Sequence, residues 1–205
     1  MSTASRNYLV VYNAVSAAGW LKVLNEAINC YRQGWPAATL WRRVGADLRL
    51  IQTLAVMEVL HAMLKIVKSP VQSTLLQVMS RLLVLWGYTN AKSAAQSDWS
   101  LYLLVMSWAT VEVPRYGFYA ANLFGMAPYW LLWLRYSLFA ILYPTGISGE
   151  ILQIWAVLKE KLAQRKKELP DLLFIGATLV ALAAYVPGSP FMYRHMLAQR
   201  QKALV

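Results

Sequence analysis

The sequence predicts an all-α, polytopic membrane protein, a six-transmembrane-helix bundle. Three observations predict it. Of the 205 residues, 59% are hydrophobic and only 14% charged, where a soluble domain carries about a quarter. The apolar residues gather into stretches near the roughly 20-residue length that crosses a bilayer as a helix. The basic residues, which set a net charge of +11, cluster between those stretches, at Arg42-Arg43, at Lys65 and Lys68, and from Lys159 to Lys167. Basic flanks of apolar segments are a membrane pattern, so the charge does not point to nucleic acid.

The first span runs from about Tyr8 to Cys30. It carries Lys22 and Glu26 and no small-residue cleavage site, so it is expected to be a retained helix rather than a signal peptide. The second runs from about Leu48 to Val67, with Glu58 and His61 inside, and the third from about Val71 to Tyr88, with Arg81. The fourth, about Trp99 to Leu123, contains Glu112, Arg115 and Tyr116. The fifth is about Pro128 to Tyr143, and the sixth about Leu172 to Val186 with an extension toward Tyr193. Between the last two, the basic amphipathic run Gly149 to Glu168 reads as a helix leaving the membrane. Proline and glycine punctuate the short connections at Ser69-Pro70 and Gly125 to Ala127, and short connections favour antiparallel neighbours. The whole chain, residues 1–205, reads as a single membrane-embedded domain with a short polar N-terminus and a basic C-terminal tail. Most of the nine tryptophans, among them Trp35, Trp41, Trp86 and Trp99, fall near predicted helix ends, as in an interfacial belt.

With six spans, the termini share a side with the loops near Ser69 and Gly125. That side carries Arg6, Lys65, Lys68, Arg194, Arg200 and Lys202. The other carries Arg32, Arg42, Arg43, Lys92, Lys159, Lys161, Arg165, Lys166 and Lys167, and the charge count places it in the cytoplasm.

Residues three, four and seven apart share a helix face. Glu112, Arg115, Tyr116 and Tyr119 therefore form a polar stripe on the fourth span, and Glu58 with His61 a shorter one on the second. Arg81 and Arg135 add positive charge from two further helices. Two readings stay open: mutual neutralisation that ties the bundle together, or a shared polar cavity. No metal is expected. Glu58-x-x-His61 has no second copy, whereas a di-metal carboxylate bundle repeats the motif, and the lone Cys30 allows neither a disulfide nor a thiolate cage. No nucleotide-binding or nucleophile-elbow motif occurs.

The strongest signal is Tyr143-Pro144-Thr145-Gly146-Ile147-Ser148-Gly149-Glu150. Ionisable side chains at membrane depth are costly and are functional candidates by default. One of this pair can donate a proton and the other accept one. An uninterrupted helix would place them on one face but separate them by about 10 Å of rise. Pro144, Gly146 and Gly149 are therefore expected to mark a break that brings Glu150 back. The alternative is an interfacial tyrosine and a glutamate capping the next helix.

Four stretches carry a resemblance. They are Gln52-Thr53-Leu54-Ala55-Val56-Met57-Glu58-Val59-Leu60-His61; Gln77-Val78-Met79-Ser80-Arg81 with Trp86-Gly87; Glu112-Val113-Pro114-Arg115-Tyr116-Gly117-Phe118-Tyr119; and Trp133 to Phe139 running into Leu142 to Glu150. With them the chain resembles, over about residues 8 to 200, the very-long-chain (3R)-3-hydroxyacyl-CoA dehydratases of the endoplasmic reticulum, also called the protein-tyrosine-phosphatase-like A family. The resemblance implies six spans with cytoplasmic termini, opposite to the charge count. It implies dehydration of a 3-hydroxyacyl-CoA to the trans-2-enoyl-CoA, the third step of fatty-acid elongation, with Tyr143 and Glu150 as the catalytic pair and no cofactor. Arg135, Tyr136, Arg115, Tyr116, Glu112 and Gly146 are the supporting candidates. Implied partners are the acyl-CoA, membrane lipid and the other elongation enzymes: elongase, ketoreductase and enoyl reductase. Phosphatase chemistry has no support, because Pro36 stands where a Cys-x5-Arg motif needs arginine. Pro114, where many relatives carry an aliphatic residue, is expected to kink the fourth helix.

The sequence leaves open which of Tyr143 and Glu150 is acid and which is base. The competing class is non-enzymatic: a scaffold of the elongase complex or a lipid transporter. A transporter should show broken helices in both halves, and only one break is read here.

Overall fold

A computed structural model describes residues 2–204. Helix α1, Thr3–Arg32, starts where the Ser2 hydroxyl accepts from the Ser5 N–H at 3.1 Å, an N-cap bond that satisfies one orphan donor. The turn after α1 needs Gly34 at φ 66°, a left-handed conformation that glycine adopts without strain. Helix α2, Ala37–Leu54, follows Pro36. It buries Leu40, Trp41, Val44, Leu48 and Ile51, spaced by three and four as one helical face requires.

The second predicted span is thus corrected. Its first half is the end of α2, and its second half is the short helix α3, Val56–Met63, which restarts at Ala55. The basic stretch Arg42-Arg43, read as a connection, is helical. After Pro70, α4 covers Val71–Leu82 and continues as π-helical turns over Leu83–Thr89. The short α5, Ser93–Ser97, leads to α6, Ser100–Leu123, which starts where Asp98 accepts from the Ser100 N–H at 2.9 Å. Helix α6 runs through Pro114 as one element. Helix α7, Tyr129–Ser137, is separated from α8, Phe139–Ala163, only by Leu138, and α9 spans Leu169–Leu204.

The core forms where α6 lies between α1 and α8. Trp20, Val23 and Ala27 of α1 meet Leu101, Leu104, Val105 and Trp108 of α6 and Ile154 and Val157 of α8, all buried. The α6–α8 approach depends on Gly149, where a Cβ would stand 2.8 Å from the Leu104 amide nitrogen. Gln153 ties the same seam: its amide donates to Ala95 O and Ser100 Oγ, each at 2.9 Å, while its Oε1 accepts from the Thr89 hydroxyl. Helices α8 and α9 are each long and apolar enough to cross a membrane.

Candidate active site

The sequence-predicted break between Tyr143 and Glu150 is not there; α8 is continuous across Pro144, Gly146 and Gly149. A proline inside a helix removes one backbone hydrogen bond and crowds the preceding turn. The carbonyl that loses its helical partner here is Ala140 O, and the hydroxyls that follow add bonds to other carbonyls of the same turns. Thr145 Oγ1 donates to Ile141 O at 3.1 Å, with a second contact to Leu142 O at 3.3 Å, and Ser148 Oγ donates to Pro144 O at 2.8 Å. The irregular turn lies upstream instead, at Leu138.

Tyr143 and Glu150 therefore share a face of α8 two turns apart, and both line one cavity of about 660 Å³ between α4, α6, α7, α8 and α9. The cavity, rather than a backbone reversal, is what they have in common. Glu150 is 7% exposed, and a buried carboxylate without partners is costly. Both of its oxygens are satisfied. Trp108 Nε1 donates to Oε1 at 3.0 Å, and the Tyr185 hydroxyl donates to Oε2 at 2.7 Å. Gly149 makes the Trp108 bond possible by letting α8 touch the α6 backbone. Tyr143 is half-buried, and its hydroxyl makes one long contact, donating to Ser189 O at 3.4 Å. That leaves the phenol available to a molecule in the cavity.

Among the supporting candidates, Arg115, Arg135, Tyr136 and Gly146 line the same cavity. Arg135 donates to the Tyr119 hydroxyl at 3.0 Å, and its guanidinium stacks 4.3 Å above the Tyr119 ring and 4.8 Å above that of Tyr136. At Gly146 an added Cβ would meet Ser107 Cβ at 3.7 Å, ordinary contact. Glu112 and Tyr116 lie elsewhere, in a buried ionic cluster behind the cavity. Arg115 forms a two-pronged bond to Glu58 at 2.8 and 2.9 Å and reaches Glu112 at 2.5 Å through Nε. Arg81 pairs with the other oxygen of Glu112, and the Tyr116 hydroxyl donates to Glu58. Mutual neutralisation thus describes Glu58, Glu112, Arg81 and Arg115. Arg81 also lies over the Trp108 ring, 5.3 Å from its centroid, so the cluster abuts the residue that holds Glu150. His61 belongs to a separate contact, with the Tyr8 hydroxyl at 2.9 Å.

Sequence reasoning missed Trp108 and Tyr185. A signal existed for each. Trp108 lies in mid-span, not at an interface like most other tryptophans, and Tyr185 is one of only two hydroxyl-bearing residues between Leu172 and Val186.

A helical protein with two helices apolar enough to cross a membrane, and with a buried glutamate and a half-buried tyrosine on one cavity, is the class this geometry defines. The family model described as protein tyrosine phosphatase-like protein, PTPLA, matches residues 52–205, and the chain belongs to that family. It is 41% identical over 213 residues to very-long-chain (3R)-3-hydroxyacyl-CoA dehydratase PASTICCINO 2 of Arabidopsis thaliana, covering 100% of this chain and 96% of that protein. It is 37% identical to dehydratase hpo-8 of Caenorhabditis elegans, over 97% of this chain and 95% of that one. It is 36% identical to human very-long-chain (3R)-3-hydroxyacyl-CoA dehydratase 2, over 96% of this chain and 80% of that protein. No solved structure matches the chain.

Proposed function

We propose that the protein is a hydro-lyase that dehydrates (3R)-3-hydroxyacyl-CoA to trans-2-enoyl-CoA in very-long-chain fatty-acid elongation. The family supports the reaction, and one observation supports the site: Glu150, fixed by two neutral donors, shares a cavity with the phenol of Tyr143. In the reading we favour, the Glu150 carboxylate removes the α-proton of the thioester. The electron pair forms the α,β double bond, and the β-hydroxyl leaves as water with the proton of Tyr143. Transfer of the carboxyl proton back to the phenolate resets the pair. The step consumes no redox equivalent, so the reading needs no cofactor.

Trp108 and Tyr185 hold the carboxylate, so its orientation is set before substrate arrives. Arg135, with Tyr136 beside it, lies on α7 toward the end where α4 begins and α9 finishes. Cations there suit the phosphates of CoA. Arg115 and Arg81 add positive potential at the cavity wall while bound to their own carboxylates.

The reading extends to one domain over residues 1–205 with six spans: α1, α2 with α3, α4 with its π-helical continuation, α6, α7 with α8, and α9. The polar mouth of the cavity then shares a side with the chain termini. An endoplasmic-reticulum location with cytoplasmic termini opens that mouth to cytoplasmic acyl-CoA, and elongase, ketoreductase and enoyl reductase are the partners that would supply substrate and take product. The test is turnover of 3-hydroxyacyl-CoA by purified protein in detergent. General acid–base groups contribute about 10² to 10⁴-fold, so Tyr143→Phe and Glu150→Ala should each lose at least 10²-fold in kcat while remaining folded. Full activity in either sinks the assignment.

A further inference from the structure

The cavity that holds Glu150 has two unlike walls. On α6 and α8 its lining residues are buried or half-buried, with Trp108 2% exposed and Phe139 7%. On α4 and the first residue of its π-helical continuation, the lining residues Leu76, Met79 and Leu83 remain 58%, 53% and 50% exposed. Their spacing of three and four places them on one helix face. Across from them, Ala181, Ala184, Met192 and Met196 of α9 line the same space. Helix α4 packs on α2 and α3, and α9 packs on α7 and α8; the cavity occupies the interval between α4 and α9. The pair α4 and α9 does not occur among the packed helix pairs, so the α4 side is the least covered wall of the cavity, and in a membrane-spanning bundle that side meets lipid.

The polar groups are distributed differently. Arg135, His195 and Gln199 stand toward the end of the bundle where α9 finishes, and Glu150 with Tyr185 lies deeper. A ligand that fits both features has an anionic, polar head and a long hydrocarbon tail.

We propose that the gap between α4 and α9 is a lateral acyl slot: the thioester head enters at the polar end, and the tail leaves sideways into the bilayer rather than ending inside the protein. This rests on the dehydratase reading above and adds how that site accommodates chain length. No wall measures the far end of the tail. Methylenes beyond the slot exchange lipid for lipid, since lipid tails are as apolar as the leucines they would otherwise touch. Elongation adds carbons at the carboxyl end, so one fixed head position with an unconfined tail serves every cycle.

Two experiments test the slot. In the first, the protein in lipid nanodiscs is given 3-hydroxyacyl-CoA thioesters with a photoreactive diazirine at the tail terminus. Long tails are expected to label surrounding lipid and the outward residues Leu76, Met79 and Leu83. Labelling confined to buried residues such as Trp108 and Phe139 would overturn the proposal. Labelling reads binding, so it stands apart from the Tyr143→Phe and Glu150→Ala assays on which the dehydratase reading depends. In the second, Ala184→Phe narrows the gap. The ratio of kcat/KM for a very long tail to that for a short one is expected to fall at least tenfold; an unchanged ratio contradicts a lateral exit.

Discussion

Two buried carboxylate regions lie side by side in this protein and are built on opposite principles. Glu58 and Glu112 are matched by Arg81 and Arg115, charge against charge, with the Tyr116 hydroxyl filling in. Glu150 is almost as deeply buried as Glu112, yet among the described residues no cation lies within ion-pair distance of it. Its partners are an indole N–H and a phenol. A guanidinium clamped to a carboxylate makes a brace, because removing either partner strands a buried charge. Neutral donors orient a carboxylate without fixing a countercharge on it, which suits a group that must take up a proton and give it back. On the proposed reading, the difference separates architecture from chemistry among residues that the sequence presents as equals.

The largest effect is expected in the ionic cluster. Arg115→Ala removes the shared partner of Glu58 and Glu112 and should destabilise the fold by about 3–5 kcal/mol, as breaking a buried ion pair does. Thermal unfolding in detergent measures this, and a loss below about 1 kcal/mol would mean that the cluster is not a brace. Next are the holders of Glu150. A hydrogen bond to a charged group contributes about 1.5–3 kcal/mol. Tyr185→Phe and Trp108→Phe are therefore each expected to lower kcat by about ten- to a hundredfold, with KM changed less than threefold. A fall in KM-dependent rate alone would assign them to substrate binding instead.

The smallest effects sharpen the packing side. Gly149→Ala places a methyl 2.8 Å from the Leu104 nitrogen and 2.9 Å from its Cα, backbone that cannot move aside cheaply. A cost of about 1–3 kcal/mol is expected from overpacking, together with a weakened Trp108–Glu150 bond. At Gly146 the same methyl finds ordinary contacts, so Gly146→Ala should change stability by less than about 1 kcal/mol. Equal losses at the two glycines, read by unfolding, would remove the close α6–α8 approach from the explanation.

Much of this was legible in the sequence. Apolar runs located α1, α6 and the start of α9, and the punctuation at Pro70 and Gly125 marked real breaks between helices. Tyr143 and Glu150 stood out because ionisable groups are rare at that depth. The proline–glycine stretch between them misled: breaker residues are weighed against a water-exposed helix, whereas here α8 runs on unbroken with Gly149 packed against the α6 backbone. Helix α2 was hidden because Arg42, Arg43 and Asp47 raise its polarity, although its buried face has regular three-four spacing. The division of labour among Glu58, Glu112 and Glu150 could not be read at all, because it depends on which arginines and which neutral donors come near each carboxylate in three dimensions.

The central claim is that only one of these three carboxylates moves protons. The most direct measurement compares Glu58→Gln, Glu112→Gln and Glu150→Gln for kcat on 3-hydroxyacyl-CoA, normalised to the folded fraction. Glu150→Gln is expected to lose at least 10²-fold while staying folded, and the other two to lose stability with kcat per folded molecule within tenfold of the parent. An active Glu150→Gln, or an equally inactive but fully stable Glu112→Gln or Glu58→Gln, would contradict it.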